Sequence, residues 1–187
     1  MKKLAFSLCL ILILVGCKED RLISYKSIEI TYKIRGAAEG IVREKVGNYG
    51  WTWESEIYIS RGNYMGYAPG KYFIFIDYKN KKGYREIRRV KKTIEKNFFE
   101  KLPEKKLKEK PSFQEVIDIY TKKLGFKMTG KKKFLNKECI VLKKTKVGSS
   151  ETIYLWEKIP LNMPLYYYKV SCKRILEKKA LDIKIEE

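Results

Sequence analysis

SIEITYKIR at residues 27–35 and WTWESEIYI at residues 51–59 are the stretches whose reading decides the fold. In the first, Ile28, Ile30, Tyr32 and Ile34 alternate with Glu29, Thr31, Lys33 and Arg35. In the second, Trp51, Trp53, Ser55, Ile57 and Ile59 alternate with Thr52, Glu54, Glu56 and Tyr58. Successive side chains of a strand point to opposite faces, so a period of two means a strand with one apolar and one wet face. Antiparallel sheets carry that pattern, whereas strands buried on both faces read as continuous apolar runs. The fold is therefore expected to rest on an antiparallel sheet.

Working outward, residues 37–40 read as a turn and 41–46 as a returning strand, with Asn48, Tyr49 and Gly50 breaking the chain before Trp51. Residues 71–78 and 84–90 form a second hairpin around the polar turn 79–83. Between 90 and 102, Val90, Ile94 and Phe98 recur at i+4 ahead of Pro103, and this spacing predicts a helix. A second helix is predicted after the capping pair Ser112 and Glu115, with Phe113, Val116, Ile117, Tyr120 and Leu124 on one face and Gly125 just past its end. Residues 138–144, 152–157, 165–174 and 181–185 read as strands. The fold class is α+β, with a helix packed on one face of the antiparallel sheet. No repeat with a period of about 20–50 residues is present, which excludes solenoids and propellers.

The first residues carry a different signal. Lys2 and Lys3 precede an uncharged run from Leu4 to Val15, and Gly16 and Cys17 follow. A basic start, an apolar middle and a small residue before the cut is the order of an export signal. Twelve residues of helix reach only about 18 Å, short of the roughly 30 Å of a bilayer core, so the run is expected to be processed and not kept as a span. The tetrapeptide Leu14, Val15, Gly16 and Cys17 resembles the lipobox of bacterial lipoproteins. The resemblance implies cleavage between Gly16 and Cys17 and a diacylglyceryl group on the Cys17 thiol, which anchors the protein to a membrane. The expected organisation is a signal peptide over 1–16, a lipidated tether over 17–26 and one domain over 27–187.

The sequence carries 42 Lys and Arg against 22 Asp and Glu, a net charge of +20. Without Lys2 and Lys3 it is 40 − 22 = +18. Such an excess normally raises nucleic acid as a partner, but export removes the chain from that compartment, so none is expected. Anionic lipid head groups are compatible partners, as is simple solvation of the charged surface. After processing, Cys139 and Cys172 remain in the domain. In an oxidising compartment they are candidates for a disulfide closing 34 residues, stabilising by about 4 kcal/mol, with two free thiols as the alternative.

Histidine is absent, which removes the usual general base and the commonest zinc ligand. No G-x-S-x-G, G-x-G-x-x-G, P-loop or C-x-x-C is present. Glu54 and Glu56, or Ser171 and Lys173, are i, i+2 pairs that strand alternation produces by itself. Catalysis, metal and cofactor are not expected.

Tyr32, Gly36, Gly40, Tyr49 and Gly50, with Gly130, Cys139, the stretch YLWEKIPL at 154–161 and Ala180, resemble a group of exported bacterial proteins of the LolA/LolB type. LolA and LolB carry lipid-modified proteins between membranes in a strongly curved antiparallel sheet, lidded by helices around a hollow for acyl chains. The resemblance implies a half-barrel-like sheet and a lipid or acyl-chain ligand. Ile28, Ile30, Tyr32, Ile34, Trp51, Trp53, Phe73 and Phe75 would then line the concave face, and Phe113, Val116, Ile117 and Tyr120 the helix above it. The alternative is that these side chains form an ordinary filled core and that the protein is an adaptor using its outer surface to hold a protein or polyanion at the membrane. Lys18, where some bacteria place Asp to retain lipoproteins in the inner membrane, points by analogy to an outer membrane facing the periplasm.

Overall fold

The computed structural model describes residues 24–80, 82–89, 92–97, 113–159, 163–172 and 174–187. Gly16, Cys17, Val90, Phe98 and the capping residue Ser112 lie outside these residues.

Eleven strands build one open, wholly antiparallel sheet in the order β6-β5-β4-β3-β2-β1-β11-β10-β9-β8-β7. They are β1 (Ser27–Gly36), β2 (Ala38–Gly47), β3 (Thr52–Gly62), β4 (Gly70–Asp77), β5 (Lys82–Arg89) and β6 (Lys92–Asn97), then β7 (Lys127–Phe134), β8 (Lys137–Lys146), β9 (Ser149–Leu155), β10 (Tyr166–Ser171) and β11 (Arg174–Glu186). Two meanders, β1 to β6 and β7 to β11, are joined where the last strand pairs with the first. The architecture is mostly β, with a single short α-helix, α1 (Phe113–Asp118), among the described residues. The α+β expectation thus stands corrected towards β.

The reason is local. Residues 92–97, expected as helix, form β6 against β5, with Ile94 opposite Ile87. An isolated i+4 recurrence over so short a segment is outweighed by the unpaired edge that β5 offers. Strand β7, all of whose residues except Phe134 are exposed, escaped the reading because an edge strand with two wet faces has no alternation to detect. The apparent single strand 165–174 is a hairpin turning at Cys172, whose φ of 42° is left-handed.

Alternation holds where it was clearest. Ile28, Ile30, Tyr32 and Ile34 are fully buried, and each aliphatic side chain so buried stabilises the fold by about 1.5–3 kcal/mol. Register breaks at Thr31/Tyr32, Glu39/Gly40 and Met128/Gly130 are bulges of the kind that bend a strand and raise its twist. Close approach of neighbouring backbone requires glycine at several positions. At Gly36, where φ is +98°, an added Cβ would sit 2.1 Å from the Ile175 carbonyl oxygen, and at Gly40 it would sit 2.1 Å from that of Tyr58.

Helix α1 runs into a π-type turn over Ile119–Lys123 and stops at Gly125, whose φ of +72° closes the C-terminus as expected. Val116 packs with Phe126, Leu142, Ile153 and Leu155, flanked by Phe113 and Tyr120. This cluster is separate from the larger one, which joins β1 to β4 with Cys139, Met163, Leu165 and Ala180. The helix therefore covers the β8–β9 end of the sheet and does not meet Ile30, Trp51 and Trp53.

Candidate functional site

The register carries one face of the sheet continuously across its strands. Tyr72, Ile74 and Ile76 on β4 oppose Ile57, Ser55 and Trp53 on β3, which oppose Val42, Glu44 and Val46 on β2. Those in turn oppose Tyr32, Ile30 and Ile28 on β1. Across β11 the same face continues through Ala180 and Lys178, then Tyr167 on β10, Ile153 on β9 and Leu142 on β8. It is the inner face, and it brings together Ile28, Ile30, Tyr32, Ile34 and Trp53 as expected.

Trp51, Phe73 and Phe75 fall off this face. Trp51 lies in the turn before β3 and its carbonyl accepts the Tyr78 N–H at 2.9 Å. Phe73 and Phe75 oppose Glu56 and Glu54 and lie on the outer face, because the core side of β4 is taken by its even-numbered residues. Both parities of that strand are apolar, so alternation alone left the choice of face open. Phe113, Val116 and Tyr120 do lie over the inner face, but at its β8–β9 end on Leu142 and Ile153, and Ile117 is buried in α1.

No bridge joins Cys139 and Cys172: both thiols are free, the first buried and the second exposed. Cys172 donates its backbone N–H to the Gly148 carbonyl at the tip of the β8–β9 hairpin, while Cys139 lies seven residues down β8 from Lys146 at that tip. Seven strand residues span about 23 Å, far beyond the separation a disulfide tolerates.

Sequence reasoning also missed a polar cluster inside the apolar face. Lys178 reaches from β11 across β1 and donates from Nζ to Glu44 Oε1 on β2 at 2.8 Å, with both side chains buried. On the way its ammonium sits 3.9 Å from the centroid of the Tyr32 ring, a desolvated cation–π contact. Glu44 faces Ser55 in register. The loop over 63–69 turns tightly, with Tyr64 and Tyr67 exchanging backbone hydrogen bonds at 3.0 and 2.8 Å, and buries Tyr64 over this face. Burial, with Glu44 and then Tyr64 adding to it, holds the Tyr32 phenol well above the ordinary tyrosine value. Burial acts the same way on Tyr64, reinforced by Glu44 and Tyr167. Tyr167 donates to Glu151 Oε2 at 3.2 Å and is likewise raised, by burial first and then by that carboxylate.

Among the described residues, Tyr32 Oη, Glu44 Oε2, Ser55 Oγ and Trp53 Nε1 are buried and make no hydrogen bond. A lysine and a glutamate at a core position give a sequence signal only once the strand register is known, since each looks like one more surface charge in a chain with 34% charged residues.

The outer face of β2 to β5 holds a groove of about 530 Å³. Tyr58, Phe73 and Tyr84 supply its aromatic surface, with Arg43, Lys71, Glu56 and Glu86 around them. No group of three or more His, Cys, Asp or Glu side chains that could hold a metal occurs among the described residues. No helix among them is long and apolar enough to cross a membrane.

No protein family model and no curated protein matches the chain. Among solved structures, an uncharacterized conserved protein from Thermus thermophilus superposes with a TM-score of 0.49 and 10% identity, over 88% of this chain and 81% of that one. PNGF-II gives 0.42 and 9% identity, over 86% of this chain but 28% of that one. A DUF1329 family protein from Desulfovibrio piger gives 0.31 and 10% identity, over 98% and 92%. At these scores none of them bears on what the chain does.

Proposed function

We propose that this chain is a non-catalytic binding module of the bacterial envelope, anchored through lipid on Cys17, that holds an amphiphile with its acyl chain along the inner face of the sheet. One observation carries the reading: a continuous apolar face has buried, unpartnered polar atoms at its centre, on Tyr32, Glu44, Ser55 and Trp53. A filled protein core pairs nearly all such atoms, and each one left unpaired costs about 1–3 kcal/mol. A head group bearing hydroxyl or amide groups satisfies them, while each methylene of its tail buried against the part-exposed Trp53, Ile183 or Ile185 stabilises the complex by about 0.8 kcal/mol.

Curvature makes the site. Tyr64 lies within electrostatic reach of both Glu44 on β2 and Tyr167 on β10, although β1 and β11 separate those strands in the sheet. The bulges at Thr31/Tyr32 and Glu39/Gly40 favour bending of β1 and β2, and a half-barrel curved around the 63–69 loop would let one side chain face both. The outer membrane, facing the periplasm, remains the favoured location, and exposed lysines suit anionic head groups.

A fluorescent fatty acid titrated into the purified protein tests the reading. Saturable binding, quenching of tryptophan emission through Trp53 and displacement by phospholipid are expected, together with co-purified lipid in a native mass spectrum. The adaptor reading draws on the complete burial of Ile28, Ile30, Tyr32 and Ile34, as in a filled core. It predicts no saturable uptake, and that result would overturn the carrier.

A further inference from the structure

We infer that the outer-face groove on β2 to β5 is a second binding site, independent of the inner face, and that its ligand is a neutral oligosaccharide. Three cross-strand rows build it. Ile41, Tyr58 and Lys71 stand opposite one another, then Arg43, Glu56, Phe73 and Glu86, then Phe75 and Tyr84. Tyr84 makes tilted ring contacts with Phe73 at 5.5 Å and Phe75 at 5.6 Å, and is 41% exposed, with Tyr58 at 47%. Tilted rings of this kind offer a ready-made platform of aromatic faces to solvent. The flat C–H face of a pyranose presents slightly positive hydrogens, and the face of an aromatic ring is negative, so the two attract as well as exclude water.

The polar groups narrow the ligand further. Although the chain carries +20, among the described residues the groove balances Arg43 and Lys71 against Glu56 and Glu86. The Arg43 Nη1 to Glu56 Oε2 contact is 2.9 Å, and Lys71 lies 5.9 Å from the Tyr58 ring centroid. Cancelled charge gives no advantage to a polyanion or a cationic peptide. A guanidinium with five donors and carboxylates with several lone pairs still retain capacity toward hydroxyl groups after pairing with each other. The volume lies in the usual range for a small-ligand site of about 300–1,000 Å³, whereas a protein partner needs a broader contact of about 800 Å² per side.

The test is calorimetric titration of the detergent-solubilised full chain with the β1,4-linked tetramer of N-acetylglucosamine. Saturable binding is expected, unchanged between low and about 0.5 M salt because no net charge is exchanged. Tyr84→Ala and Tyr58→Ala, both at exposed positions, are expected to weaken it about tenfold or more while leaving the far-ultraviolet spectrum unaltered. Tyr168→Ala, on the outer face of distant β10, is expected to leave it unchanged. Absence of heat from the unmodified chain overturns the proposal. So does equal binding by both groove variants. Affinity that collapses with salt also overturns it, in favour of a polyanion, and retention of a protein in place of the sugar does so in favour of a macromolecular partner.

Discussion

Replacing Lys178 with methionine isolates the least expected feature of the inner face. The substitution keeps the length and apolar stem of the side chain but removes the cation paired to Glu44 Oε1, at 2.8 Å, and the charge held 3.9 Å from the Tyr32 ring centroid. Glu44 then stands buried with neither oxygen partnered. Breaking a buried pair by removing one member costs about 3–5 kcal/mol, because the remaining charge has lost water without compensation. In a domain of this size that corresponds to a fall of about 6–20 °C in Tm. The double variant Lys178→Met with Glu44→Leu removes both charges and is expected to recover to within about 1 kcal/mol of the original chain, or to exceed it. Urea unfolding followed by tryptophan emission measures all three proteins. A single variant losing less than about 1 kcal/mol, or a double variant no more stable than the single one, would refute the account of a desolvated pair.

The thiols are expected to differ in reactivity: burial pushes Cys139 up to about 11, so iodoacetamide near pH 8 should label exposed Cys172 and spare Cys139 until unfolding. Peptide mapping that finds neither labelled before reduction would restore the disulfide. Burial raises Tyr32, Tyr64, Tyr166 and Tyr167 above the ordinary tyrosine value of 10.0, Tyr166 to about 12. A raised folded value favours the fold below pH 10, and that contribution is lost as pH rises through the folded values. Stability should therefore be level from about pH 7 to 9 and fall above 10, in step with the tyrosinate band near 295 nm, and a fall beginning well below that range would count against the assignment. Cys17→Ser should abolish acylation and shift the chain out of the detergent phase, and partitioning that survives would remove the anchor.

The sequence by itself determined the sheet, because the alternation of Ile28 to Ile34 and of Trp53 to Ile59 is a local pattern that only a half-buried strand explains. It also determined the helical segment that begins with α1, whose stop at Gly125 is written in the residues that make it. What it left undecided were matters of pairing. The phenylalanines of β4 sit in a run apolar at both parities, so only the register against β3 assigned them to the outer face and so made the groove. Residues 92–97 and β7 became strands because a neighbouring edge was available, which no local window contains. The separation of Cys139 from Cys172, and the meeting of Lys178 with Glu44 from 134 positions away, follow from how the two meanders join through β1 and β11. Local patterning fixes which way a side chain points, and only the full set of hydrogen-bonded neighbours fixes what it meets.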